Sequence, residues 1–167
     1  FDVRAGADVT LVDHAVSVFQ GERHAPTAEV QLWPTGDLRV SLPLPRSTGS
    51  HMSYVIEEDV ADTVAVALAF AGWVLGQVDP TERLTHVSVA ARVVGDSVMG
   101  WRTAAEQAAS PNSGSGSMMG REGERGQPVQ LSPAHMPRAA LTMRSREITE
   151  DFVVLLRRKW SDERLGR

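Results

Sequence analysis

The sequence predicts an α+β fold, an antiparallel sheet of about four to six strands with two long helices packed on one face. Two stretches, at 29–44 and 85–94, alternate apolar and polar residues with the period of a strand. Two others, at 57–76 and 145–160, repeat apolar residues with the period of a helix. The 167 residues, 42% of them hydrophobic and 23% charged, suffice for one domain over 1–167 with its own core.

Taken in chain order, the first element expected is a short helix over 11–20. Thr10 is placed to cap it, Leu11, Val12, Ala15, Val16 and Phe19 fall at helical spacing, and Gly21 is placed to stop it. A hairpin follows in AEVQLWPTGDLRVSLPLP. Val30 and Leu32 stand on one face of its first strand, and Leu38, Val40, Leu42 and Leu44 on one face of its second. Keeping these faces together requires Leu32 opposite Leu38 and Val30 opposite Val40, because a slip of one residue would turn every apolar side chain outward. The loop is then 33–37, with Gly36 available for a positive φ. Trp33 at its tip reads as a packing residue before a ligand platform.

The helix over 57–76 opens on Glu57, Glu58, Asp59 and Asp62, which complement the positive end of its dipole. These acids read as dipole partners on a solvated surface before they read as a catalytic pair. Beyond them the helix is apolar nearly all round, which places it against the sheet or at a subunit contact. Its apolar run, 64–75, has 12 residues, short of the roughly 20 that span a bilayer. No membrane association is expected.

THVSVAARVV then reads as a strand with Val87, Val89, Ala91 and Val93 on one face and His86, Ser88, Ala90 and Arg92 on the other. Gly95 and Asp96 read as a tight turn into a further strand, SVMGWRT, and 104–109 as a helical turn. Residues 110–128, rich in Gly and Ser, read as a flexible linker within the domain. VQL and RAALTMR are expected to form one or two short strands. Ser145 then opens a last helix in which Ile148, Phe152, Leu155, Leu156 and Trp160 line one face.

Residues 49–52, GSHM, spell the remnant that a cleaved affinity tag leaves at the start of a chain. The segment 46–53 therefore reads as an engineered seam or as a native loop, and His51 receives no catalytic role. Phe1 is not an initiator Met, and the opening reads as the edge of a larger protein.

The residue types exclude several chemistries. With no cysteine there is no disulfide, thiolate metal site or thiol nucleophile. The five histidines fall at no zinc-ligand spacing, and no phosphate-binding loop, nucleophile elbow or calcium loop occurs. No catalytic residue, metal or cofactor is expected. Sixteen of the 17 basic residues are Arg, which reads as the codon bias of a GC-rich bacterial genome. Residues 53–109 hold 3 basic groups against 8 acidic, while 138–167 hold 8 against 5.

A body this acidic makes a poor general polyanion binder. Nucleic-acid or partner contact would therefore fall to Arg144, Arg146, Arg157, Arg158, Lys159 and Trp160. The same segment reads first as a docked amphipathic helix with a charged outer side, since Phe152 and Trp160 stand at core spacing. A second candidate site is the sheet face carrying His86, Ser88 and Arg92, which could take an anionic ligand and make the chain a small ligand-binding or enzymatic domain. It needs a pocket ending on those side chains.

The phrases MGWRTAAEQAASPNS, PVQLSP and RAALTMRSREITEDFVVLLRRKW make residues 84–160 resemble the C-terminal part of actinobacterial proteins that carry a Schlafen-type AlbA-like DNA-binding domain upstream. Nothing here matches the acidic catalytic motif of that upstream domain, so no active-site residue is carried over. The resemblance implies an accessory domain of a larger nucleic-acid-linked regulator or defence protein. The expectation is thus a non-enzymatic binding or regulatory domain of a cytoplasmic bacterial protein, working through a protein partner or as a homodimer.

Overall fold

The computed structural model describes residues 8–12, 14–22, 25–44, 54–94, 100–110 and 127–165. The segment 46–53 and most of the linker, 111–126, lie outside the described residues, as do Gly95 and Asp96. Among the described residues the class is α+β, with an antiparallel four-stranded sheet and four helices. Where length led us to expect one domain, the chain forms two compact units, Phe1–Pro43 and Leu44–Arg167.

The first unit is a meander of four antiparallel strands, β1 (Asp8–Val12), β2 (Ala15–Glu22), β3 (Ala25–Leu32) and β4 (Leu38–Ser41), in that order. The helix expected over 11–20 is therefore a hairpin. Its residues are rich in β-branched side chains, Thr10, Val12, Val16 and Val18, which suit a pleated surface. His14 turns the chain at φ 66°. Two positions that fitted the helical stripe, Leu11 and Val16, are 75% and 46% exposed, whereas Ala15, Ser17 and Phe19 are buried at strand spacing. The buried Ser17 hydroxyl donates to Glu29 Oε1 across the sheet at 2.7 Å, so its desolvation is compensated.

The second hairpin has the expected register, Val30 opposite Val40 and Leu32 opposite Leu38. Gly36 adopts φ 92°, its amide donates to the Trp33 carbonyl at 3.0 Å, and the Trp33 amide donates to the Asp37 carbonyl at 3.0 Å. This is a tight turn closed by a left-handed glycine, a conformation that a side chain would oppose. Strand β4 stops at Ser41, two residues before Pro43, which has no amide to give a ladder.

The second unit holds both long helices, α1 (Glu57–Val78) and α4 (Ser145–Leu165), packed on each other. Two short strand pairs accompany them. Strand β5 (Tyr54–Ile56) runs parallel to β7 (Gly100–Arg102), and β6 (His86–Ala91) runs antiparallel to β8 (Val129–Pro137). The hairpin expected from β6 into β7 is thus replaced by two separate pairings. A parallel partner for β7 needs a long crossover, and α1 with β6 supplies it. Tyr54 lies over Gly100, where a Cβ would come within 2.9 Å of the ring, so only glycine fits beneath it.

RAALTMR, expected as strand, contains instead a turn of helix, α3 (Ala140–Met143), whose Ala140 and Leu141 are buried. Ala, Leu and Met are strong helix formers, and the β8 strand is already complete at Pro137. The core gathers Val60 and Leu68 of α1, Leu141, and Phe152, Leu156 and Trp160 of α4. By length and composition α1 could cross a membrane. Here its inner side packs in this core.

Candidate functional site

Four surfaces carry the residues that could do chemistry or bind. The first is the basic segment on α4. Arg144, just before the helix, donates from Nε to Glu147 Oε2 at 2.8 Å, and Arg146 from Nε to Glu150 Oε1 at 2.9 Å, pairs spaced three and four residues along the chain. Arg157 donates from Nη1 to Glu57 Oε2 at 2.9 Å, bracing the start of α1. Trp160 is 4% exposed and its ring centroid lies 6.3 Å from that of Trp101. From that position its ring has no face to offer a base, and Trp160 belongs to the core as a docked amphipathic helix requires. Arg158 is exposed and Lys159 half-buried. The six residues therefore do not converge on one groove.

The second surface is the polar side of the β6 and β8 pair. His86, Ser88 and Arg92 are all exposed, with Arg92 just beyond the end of β6. A residue not singled out in the sequence joins them: His135 of β8 pairs with Ser88, and its Nδ1 lies 2.7 Å from Ser88 Oγ. His86 Nδ1 is 3.1 Å from Thr85 Oγ1. A serine beside a histidine can in principle yield an activated nucleophile, but such a site also needs an orienting partner for the base and donors for a developing oxyanion. Among the described residues none is placed to do either. The face is open and solvated.

The third surface is a groove of about 430 Å³ lined by Trp101, Arg102, Glu106, Ala109 and Ser110. Its position follows from α2 (Ala104–Ala109), whose N-terminus is fastened by a capping box between Thr103 and Glu106. Sequence reasoning placed the helical turn but not this box, although the T-x-x-E spacing was legible. The Thr103 amide, donating to Glu106 at 2.8 Å, holds that carboxyl below the usual carboxylate range, and Arg157 adds to the effect. Arg102 Nη1 donates to Gln107 Oε1 and to the Ser110 carbonyl, while its guanidinium stacks 4.0 Å from the Tyr54 ring centroid. The polar groups of the groove thus hold the local fold together and present no paired acid and base.

The fourth surface is the outer side of α1. Glu57 accepts from Trp101 Nε1 at 2.9 Å, and Glu58 accepts from the Ala104 amide at 2.7 Å, so the first-turn acids tie α1 to its neighbours in addition to matching its dipole. These ties, with Val60 and Leu68 buried, set which side faces out. Along that side Glu58, Asp62, Val66, Ala69, Trp73 and Gly76 are exposed in a single line. Val66 is 54% and Trp73 60% exposed, and Trp73 lies against half-buried Phe70 with ring centroids 5.7 Å apart. Among the described residues no group of histidines and carboxylates could hold a metal ion.

Comparison with protein-family models, with curated proteins and with solved structures finds no match for this chain.

Proposed function

We propose that the chain is a non-enzymatic binding domain that acts through protein contacts made by the outer side of α1. The observation that supports this reading is Trp73, a large aromatic 60% exposed on a helix tied to its unit through Glu57, Glu58, Val60 and Leu68. Aromatic residues of this kind anchor protein interfaces, because they bury a large area at little cost in side-chain entropy. The two readings that compete with it have weaker support. His86, Ser88 and Arg92 stand on an exposed face and do not line the groove at Trp101, and Arg144, Arg146 and Arg157 spend their charge on neighbouring carboxylates. A regulatory accessory role in a larger bacterial protein, as the resemblance of residues 84–160 implies, agrees with a module that binds and does not catalyse.

The test compares three baits, the natural chain, Trp73→Glu and Arg158→Ala, for the proteins each retains. A partner lost with Trp73→Glu and kept with Arg158→Ala supports the proposal. Retention indifferent to Trp73, or a nucleic-acid complex that Arg158→Ala dissolves, overturns it.

A further inference from the structure

The spacing of the outer residues on α1 contains information about the partner. Asp62, Val66, Ala69, Trp73 and Gly76 follow one another at intervals of four, three, four and three. Such a row is one face of a straight helix, and a second helix can lie along it. Large and small side chains alternate in it, Val66, Ala69, Trp73, Gly76. In an antiparallel pair of identical helices with its two-fold axis level with residue 71, Trp73 of each seats over Ala69 of the other, and Val66 over Gly76. Every layer then places a large side chain on a small one, which permits the closer end of the usual 8–10 Å between helix axes.

Charge agrees with that register. In it the two helices overlap over 64–78, and those residues include no Asp, Glu, Lys or Arg. The acids Glu57, Glu58, Asp59 and Asp62 fall outside the overlap, so neither copy sets its acidic end on the other. A parallel pair would stack the acidic ends directly and align the two helix dipoles, both unfavourable. An anionic membrane surface would meet the same acids with no cation on α1 to offset them.

We infer that the partner of this face is a second copy of the same chain, joined by antiparallel pairing of α1 along Val66, Ala69, Trp73 and Gly76. This rests on the proposed role of the α1 outer side and names its occupant. The symmetry is that of an isologous dimer, in which one patch serves both subunits.

The chain has no cysteine, so introduced ones report geometry without background. Copies of Ala69→Cys lie ~6 Å apart along the helix direction in the proposed pair, those of Val66→Cys ~15 Å and those of Gln77→Cys ~18 Å, from a rise of ~1.5 Å per residue. The expected result is a sedimentation mass of two chains, cross-linking of Ala69→Cys by a short bis-maleimide, and none of Val66→Cys or Gln77→Cys alone. Mixing Val66→Cys with Gly76→Cys should restore a cross-link, and a Cβ at Gly76 meets nothing within 4 Å, so that variant folds. Trp73→Glu should weaken association by ~30-fold or more, the scale of a central aromatic anchor. Val66→Cys cross-linking to itself means a parallel pair and overturns the inference. So does a monomer at every concentration, or flotation of the chain with phosphatidylcholine vesicles. A monomer that still loses another bound protein on Trp73→Glu would reject self-pairing while leaving the docking role of the face intact.

Discussion

The two long helices are nearly equal in length, 22 residues in α1 and 21 in α4, yet they solve opposite problems. Helix α4 buries Ile148, Thr149, Phe152, Val153, Leu156 and Trp160 on one side and closes its other side with the Arg146 and Glu150 pair. It is amphipathic in the ordinary sense, and among its described residues Val154 is the one large apolar side chain left exposed. Helix α1 buries only Val60 and Leu68, carries no basic residue, and exposes Val66, Trp73 and Val78. Apolar surface aligned in this way on one helix is what the proposed contact of α1 would cover. The difference teaches that one helix spends its apolar residues on the core of its unit while the other leaves a row of them in solvent.

The comparison can be broken at its strongest point first. Phe152 is fully buried, and its replacement by Ala should cost ~3–5 kcal/mol of unfolding free energy. The exposed Trp73, replaced by Ala, should change the stability of the isolated chain by less than ~0.5 kcal/mol. Urea denaturation of both variants at high dilution measures the contrast, and comparable losses would mean that α1 is as fully packed as α4.

A second test concerns how α1 ends. It has no basic residue in its last turn, and the chain leaves it through Asp79. Asp79 accepts from the Leu84 amide at 2.8 Å, the Arg83 amide at 3.1 Å and Arg138 Nη1 at 3.0 Å. The Leu84 amide above all, then the Arg83 amide and the Arg138 guanidinium, outweigh the cost of burial and hold the Asp79 carboxyl below its ordinary value of 3.8. A carboxyl depressed by folding contributes stability above its unfolded pKa, and that contribution is lost as pH falls through the folded one. Asp79→Asn should therefore lower the melting temperature at neutral pH by less than Phe152→Ala does. The gap between Asp79→Asn and the natural chain should shrink steadily below about pH 3.8. A gap independent of pH would show that the loop hydrogen bonds, and not the charge, fasten the end of α1.

The smallest effect sharpens the account of α4. Thr149 is 7% exposed and its hydroxyl has no hydrogen-bond partner among the described residues. Thr149→Val replaces that hydroxyl with a methyl of similar shape and should raise stability by about 1 kcal/mol or leave it unchanged. A loss of stability would mean that the hydroxyl is satisfied by water.

Much of this was legible in the sequence, for a physical reason that differs from element to element. The hairpin at Gly36 was readable to the register, because a period of two leaves one alignment that keeps the apolar residues on one face. The face of α4 was readable because its apolar residues occupy a single stripe. Local pattern failed at 11–20, where Leu11, Val12, Ala15, Val16 and Phe19 fit a helix and a strand almost equally, and β-branched content with the turn at His14 decides.

Tertiary contact alone decided the rest. Strand β7 pairs with β5, 46 residues away, and Ser88 meets His135 across 47, which no local spacing encodes. For α1 the sequence determined that a long apolar helix forms, with its acids at the first turn. It could not say which side faces out, because a helix apolar all round has no direction of its own. The anchors at Glu57 and Glu58 and the burial of Val60 and Leu68 supply that direction, and only then do Val66, Ala69, Trp73 and Gly76 become one exposed line.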